Sequence, residues 1–312
     1  MVEGLLTIIL SLGLFVWFSS LLEKKAYKLN NNSNRVIERK VILDSHLKYE
    51  VEITEKEIYA KVIGHIDFDM NPLLNIPERI NGIPIVSIGD GAFENDNNID
   101  TVNISNTIEE IGTRAFANSS IRKIIINEEN SIRIIADGAF YWCKNLYIDM
   151  FCNLHNIYIG REAFNYVKLG DIVLNDTYEF TCGSFKGALI DSLKIDISGE
   201  ELPKEAFMFS SVKSVHINGQ TIKKICSDCF SGCSKLEKIL IPDSVNYIDD
   251  DAFEIKETAF VHRKDGEIDL RYNPIHRSSI TKAIFYCNAG SYAQSYAQNK
   301  KIKCRPYGEF FQ

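Results

Sequence analysis

Ile248-Asp249-Asp250-Asp251-Ala252-Phe253 is one copy of a line that this chain repeats eight times: an apolar residue, spacers, a small residue, a phenylalanine. The terminal aromatics are Phe93, Phe116, Phe140, Phe164, Phe185, Phe207, Phe230 and Phe253, at intervals of 23, 24, 24, 21, 22, 23 and 23 residues. Such a period is the mark of a solenoid, in which one coil cannot bury its apolar side alone and stacks on the next. Just before each Phe stands Ala92, Ala115, Ala139, Ala163, Ser184, Ala206, Cys229 or Ala252. Five before it stands Ile88, Ile111, Ile135, Ile159, Phe180, Leu202, Ile225 or Ile248. These columns predict internal ladders, with the small residues letting adjacent coils close ranks.

The strand of each coil follows its Phe. Phe230 leads to Leu236, Ile239 and Ile241, Phe93 to Ile99, Val102 and Ile104, and Phe207 to Val212, Val215 and Ile217. The spacing apolar-x-x-apolar-x-apolar suits the short strand of a leucine-rich repeat, with alternate residues turned inward. Eight residues before the Phe, most coils carry Ile85, Ile108, Ile132, Ile222 or Val245, but three central ones carry Asn156, Thr177 and Gly199. There the intervals also shorten, so residues 146–203 are expected to be the worst-packed or most bent coils.

Outward from the repeats, the N-terminal side reads in three pieces. Residues 4–22 hold no charge, and Leu5, Leu6, Ile8, Ile9, Leu10, Leu12, Leu14, Phe15, Val16, Trp17 and Phe18 dominate them. As a helix they span roughly 28 Å, about the thickness of the hydrocarbon core. A membrane-spanning anchor over 1–25 is predicted. A cleaved signal should open with basic residues and close on a small-x-small site, whereas this stretch opens Met1-Val2-Glu3 and ends Trp17-Phe18-Ser19-Ser20. Lys24, Lys25 and Lys28 follow it, and the positive-inside rule alone would leave the repeats in the cytoplasm. Residues 26–45, with Asn30-Asn31-Asn32-Ser33-Asn34 inside, read as a polar tether. In 46–80, Leu47, Tyr49, Val51 and Ile53 alternate with polar residues, and Ile58, Ala60 and Val62 resume the alternation after Glu55-Lys56-Glu57. That is a β-hairpin, placed to cover the open end of the first coil.

The repeats are assigned to 81–260 and a C-terminal cap to 261–312. Ala283-Ile284-Phe285-Tyr286-Cys287 reads as a last strand. Tyr292 with Tyr296 and Ala293 with Ala297 recur at i, i+4, which makes a short amphipathic helix opened by Ser291.

These residues resemble the BspA-like leucine-rich repeats, whose unit reads I-G-x-x-A-F-x-x-C-x-x-L-x-x-I-x-I-P. Ile88-Gly89-Asp90-Gly91-Ala92-Phe93, Ile111-Gly112-Thr113-Arg114-Ala115-Phe116 and Ile159-Gly160-Arg161-Glu162-Ala163-Phe164 match its first half. Cys229-Phe230-Ser231-Gly232-Cys233-Ser234-Lys235-Leu236-Glu237-Lys238-Ile239-Leu240-Ile241-Pro242 carries its second half most fully. The resemblance implies a mainly β, right-handed solenoid. It also implies a surface-exposed protein that adheres to or interacts with host or matrix proteins. Joined to the anchor, it predicts a single-pass membrane protein with extracellular repeats, the lysine flank leaving a cytoplasm-facing scaffold as the alternative.

A net charge of -7 and a pI near 5.5 argue against a nucleic-acid binder that works through a general basic field. Cys226, Cys229 and Cys233 stand at a spacing thiolate metal sites use, but Cys229 lies in the small-residue column and Cys233, like Cys143, in the family's cysteine position. Core packing is the expectation, with no metal or cofactor. The six histidines lie far apart, and no nucleophile elbow, phosphate loop or paired-carboxylate signature occurs, so no enzyme is expected. The candidate binding face is the outward side of the strands: Thr101, Asn103, Lys123, Ile125, Val173, Lys194, Lys213, His216, Lys238 and Leu240. Apolar Ile125, Val173 and Leu240 there suit a protein or glycan partner, or else cover a neighbouring loop.

Overall fold

The computed structural model describes residues 36–44, 46–66, 72–148, 154–218, 220–255, 258–262, 268–272 and 279–312. The predicted anchor at 4–22, its lysine flank, the asparagine run, Cys152 and His276 lie outside the described residues. Among the described residues no helix is long and apolar enough to cross a membrane.

The repeats form a solenoid with a parallel ladder on each of two sides. One side runs Ile83–Ile88, Glu110–Ile111, Ile134–Ile135, Ile157–Ile159, Tyr178–Phe180, then resumes as Glu201–Leu202, Lys224–Ile225 and Tyr247–Ile248. These are the residues five before each Phe, paired Ile88↔Ile111↔Ile135↔Ile159↔Phe180 and Leu202↔Ile225↔Ile248. The other side holds the strands after each Phe: Leu73–Asn75, Thr101–Ile104 and Lys123–Ile126, then Lys168–Asn175, Leu189–Asp196, Ser214–Ile217, Lys238–Leu240, Ile284–Cys287 and Cys304–Pro306.

Between the ladders the phenylalanines stack. Phe93 to Phe253 run ring on ring at centroid distances of 5.2–5.8 Å, with neighbouring planes no more than 16° apart. Every one of the eight is at most 1% exposed. The backbone enforces this, because from Phe93 to Phe230 each Phe N–H donates to the carbonyl of the small residue one coil on, as Phe116 to Ala139 (2.8 Å) and Phe207 to Cys229 (3.0 Å). The stack ends on His65, 6.0 Å from Phe93 and nearly parallel to it, and on Phe285, which meets Phe253 edge-on at 4.8 Å.

Two positions per coil adopt left-handed backbone, two before and two after the Phe. The first column holds Gly91, Arg114, Gly138, Glu162, Gly183, Glu205 and Asp228, the second Asn95, Asn118, Trp142, Tyr166, Gly187, Phe209 and Gly232. The reversal brings the N–H of the later position onto the next coil, as Asn118 to Tyr141 O (2.7 Å) and Trp142 to Asn165 O (2.9 Å). Bulky side chains there cost roughly 1–3 kcal/mol each. Offsetting contacts are visible: Lys144 Nζ sits 3.8 Å from the centre of the Trp142 ring, and Tyr166 lies 5.1 Å from it on the next coil. Gly187 leaves room for the Tyr166 ring, since a Cβ there would lie 2.9 Å from it.

The central coils are not poorly buried. Leu146, Leu154, Ile159, Phe164, Phe185, Ile190 and Leu202 are all fully buried. The irregularity lies in the ladders: one breaks between Phe180 and Glu201, where Phe180 replaces the usual Ile and turns edge-on to Phe185 and Phe207. The shortened coils also carry the long strands Lys168–Asn175 and Leu189–Asp196.

At the N-terminal end, β1 (Val36–Leu43), β2 (Leu47–Thr54) and β3 (Ile58–His65) make an antiparallel cap, and β3 pairs in parallel with Ile83–Ile88. The hairpin lies where the alternation placed it. Part of the tether, however, is strand β1. Its alternation was hidden because Glu38, Lys40 and Ile42 share one face, while Ile37, Val41 and Leu43 are 52%, 62% and 58% exposed on the other. Across the outer face, Glu52 is only 6% exposed and accepts from Tyr59 Oη (2.7 Å) and Lys61 Nζ (3.0 Å), with Arg39 Nε at 3.2 Å. Burial opposes its charge, but these hydrogen bonds and the Lys61 and Arg39 charges prevail and hold its pKa below the usual glutamate value. The stability it contributes is therefore full above the unfolded pKa of about 4.3 and is lost as pH falls through the lower folded value. Glu52→Gln should cost about 1–3 kcal/mol at pH 7. In urea titrations the gap to the wild type should narrow on acidification, and a gap constant from pH 7 to pH 3 would contradict this account.

At the other end, α1 (Tyr292–Asn299) is capped by Ser291, whose Oγ accepts from Gln294 N at 3.2 Å. Ala293, Tyr296 and Ala297 are its buried residues, and Tyr296 stacks on Phe285. Sequence reading anticipated the last strand and this helix. It missed the strand Cys304–Pro306 and the 3-10 turn Tyr307–Phe311 that follow.

Candidate interaction surface

The outward residues of the strand ladder fall into rows because parallel pairing repeats one register from coil to coil. Asn75, Asn103 and Ile125 stand side by side, as do Leu73, Thr101 and Lys123. Asn103 Nδ2 donates to Asn75 Oδ1 at 3.2 Å, and Ile125 is 37% exposed. Tyr147, 49% exposed, bridges in parallel to Lys168. Beyond them a second row runs Val173, Lys194, His216, Leu240, Tyr286, Arg305. Val173 is 51% exposed and Lys194 is exposed beside it. Lys213 stands at the margin just before its strand, with Nζ 3.3 Å from Asp191 Oδ1.

Three of the predicted residues are not open. Leu240 does point outward, but it is fully buried, because the turn Tyr307–Phe311 folds over it and places Phe310 against Leu240 and Tyr286. Lys238 Nζ donates to Phe310 O at 3.0 Å and stands 4.5 Å from the centre of its ring. His216 is half-buried with Phe310 and Phe311 at 5.6 and 5.3 Å, and its Nε2 is buried without a hydrogen bond. Burial, aided by the Lys194 charge, pushes the His216 pKa down. The covering segment comes some seventy residues downstream of Lys238, beyond the reach of any repeat pattern. Leu73, Asn75, Tyr286 and Arg305 also belong to the face and were not picked out from sequence. Extending the same register by one strand at the N-terminal end and two at the C-terminal end would have found them.

The cysteine column is structural in its geometry. Cys143 Sγ donates to Phe116 O (2.9 Å) and Cys233 Sγ to Phe207 O (3.1 Å), each reaching the preceding coil. Burial pushes their pKa values up to about 11 and about 12, and that of Cys229 far above the usual thiol range. Among the described residues, no three His, Cys, Asp or Glu side chains gather as a metal site would require. Iodoacetamide at pH 8 should leave Cys143, Cys229 and Cys233 unmodified in the folded protein, with Cys182 reacting before them, and modify all eight cysteines in denaturant. Rapid loss of Cys229 or Cys233 without unfolding would contradict the packing described.

The profile of the BspA type leucine rich repeat region matches in six copies, over residues 74–188, 157–262 and 179–302. The chain belongs to the BspA-type leucine-rich repeat family. Several solved leucine-rich repeat proteins are similar to it. A leucine-rich repeat protein from Bacteroides ovatus is 20% identical over 69% of this chain and 80% of its own, with a TM-score of 0.39. A leucine-rich cell surface protein from Faecalibacterium prausnitzii is 16% identical over 68% and 91%, with a TM-score of 0.33. A leucine-rich repeat protein from T. pallidum is 18% identical over 64% and 87%, with a TM-score of 0.49. No curated protein matches the chain. In this BspA-type chain the positions that recur from coil to coil, the phenylalanines and the isoleucines five before them, are packing residues.

Proposed function

We propose that this BspA-type protein is a membrane-anchored interaction module whose outward strand face binds another protein or a glycan, in a surface, adhesin-like role. The observation that carries the reading is the exposed row beginning at Val173 and Lys194 on the six-stranded sheet, with Ile125 exposed on the three-stranded one: apolar and cationic side chains held at strand spacing. Exposed apolar groups rimmed by polar ones suit a partner surface. The uncharged stretch 4–22 supports anchoring, and the family resemblance supports display outside the cell. Residues Lys24, Lys25 and Lys28 favour the other reading, a scaffold facing the cytoplasm.

Impermeant amine-reactive biotin on intact cells separates the two. Lys123, Lys194 and Lys213 are exposed and report on the repeats. Labelling of these lysines before lysis is the expected result. Labelling only after lysis would overturn the surface assignment and direct the search for partners to the cytoplasm.

A further inference from the structure

The turn Tyr307–Phe311 is not part of the main core. Ile239 and Phe285 face inward and pack in the solenoid, while Leu240, Tyr286 and Phe310 form a separate apolar cluster on the opposite side of the same strands, with Ile284 and Tyr307 at its margin. The segment lies across a face that upstream coils leave open at Val173 and Lys194, and it engages that face as a ligand would. One aromatic ring is buried over Leu240 and Tyr286, one backbone carbonyl accepts from Lys238, and a second aromatic, Phe311, leans on His216 while remaining 65% exposed. The fit is imperfect, because His216 Nε2 is left buried and unpaired beneath it, a desolvation cost that a donor or acceptor on another ligand would relieve. Lys194 and Arg305 stand in this row and Lys238 beside it on the same face, with Asp196 the carboxylate that acts on His216, and the covering segment brings Glu309, 3.9 Å from Arg305.

We infer that the outer face of the strands Ser214–Ile217, Lys238–Leu240 and Ile284–Cys287 is a docking site for an aromatic, acidic peptide segment, and that residues 307–312 are its occupant in cis. The site recognises a buried aromatic residue whose backbone carbonyl accepts from Lys238, with a carboxylate toward Arg305. A protein partner presenting such a segment binds by displacing the cis occupant, which lengthens the open face from Val173 to Tyr286. This rests on the reading that the strand face is the interaction face.

The test uses the full chain and a labelled peptide with the sequence of residues 307–312, and needs no outside partner. Phe310→Ala empties the site. By fluorescence anisotropy the peptide should bind this variant at least tenfold more tightly than the wild type, and a second substitution, Leu240→Asp, should abolish the gain. Equal binding to the variant and the wild type, or no binding to either, would overturn the inference. Hydrogen exchange of the wild type gives an independent reading. Amides of 307–312 should exchange at least a hundredfold faster than those of Ile239 and Phe285, as a displaceable segment requires. Exchange as slow as the core would make the segment a fixed cap and overturn the proposal. Either failure leaves the open portion at Val173 and Lys194 untouched, so it is distinguishable from failure of the interaction-face reading itself.

Discussion

Phe164→Ala is expected to destabilise the solenoid by about 3–5 kcal/mol, the range for removing a buried phenylalanine from a core that only partly collapses around the cavity. Phe164 is fully buried between Phe140 at 5.6 Å and Phe185 at 5.8 Å, so the substitution removes two stacked neighbours as well as its own burial. Position matters as much as magnitude. In a chain of nearest-neighbour interfaces, a weakened central interface uncouples the coils on either side. Urea denaturation followed by circular dichroism should lose its single transition and show two, with coils on the two sides of residue 164 unfolding separately. Phe311→Ala, at an exposed position outside the stack, should change the unfolding free energy by no more than about 0.5 kcal/mol. Equal effects of the two substitutions would mean that the stack is not what holds the coils together.

Gly112→Ala adds one methyl group and is expected to cost about 2–4 kcal/mol, an overpacking term plus weakened hydrogen bonds. The glycine is not there for backbone freedom. A Cβ at this position would lie 2.7 Å from both Ile88 O and Asp90 Oδ1 and 2.9 Å from Asp90 N, all in the preceding coil. Those atoms hold the two coils in register, since Ile88 O accepts from Gly112 N (2.8 Å) and Asp90 Oδ1 accepts from Thr113 N (2.7 Å). A flexible side chain could move aside, but the backbone cannot without parting the coils. Gly308→Ala supplies the control, because nothing lies within 4 Å of a Cβ there. Thermal melts should show a clear loss for the first and none for the second. A Gly112→Ala protein as stable as the wild type would show that the coils can separate at little cost.

The repeat was legible because its period is set by packing that every coil must satisfy. Phe, the small residue before it and the Ile five before it each meet their own kind one coil away, so the columns survive in plain sight. The left-handed positions were half visible: glycine marks Gly91, Gly138, Gly183, Gly187 and Gly232, whereas Trp142, Tyr166 and Phe209 occupy the same backbone and look like ordinary aromatics. Strand β1 escaped because its apolar residues alternate onto the exposed side. Which residues of a strand turn outward is a local property, visible as alternation around Asn103, Ile125, Val173 and Lys194. Coverage of that face is not, since the burial of Leu240 depends on a segment far downstream.

The most direct test of the central claim, that the outward strand face carries binding, compares the full chain with one double and one single variant. Val173→Glu with Lys194→Glu alters the open row, and Tyr158→Glu alters an exposed position on the opposite ladder. Each is expressed in cells at full chain length and measured for cell adhesion and for retention of cross-linked partners. The account predicts that the first pair loses at least tenfold of both while Tyr158→Glu keeps the wild-type value, with unchanged melting temperatures. Loss by Tyr158→Glu and retention by the strand-face pair would contradict it and place the interaction on the other side of the solenoid.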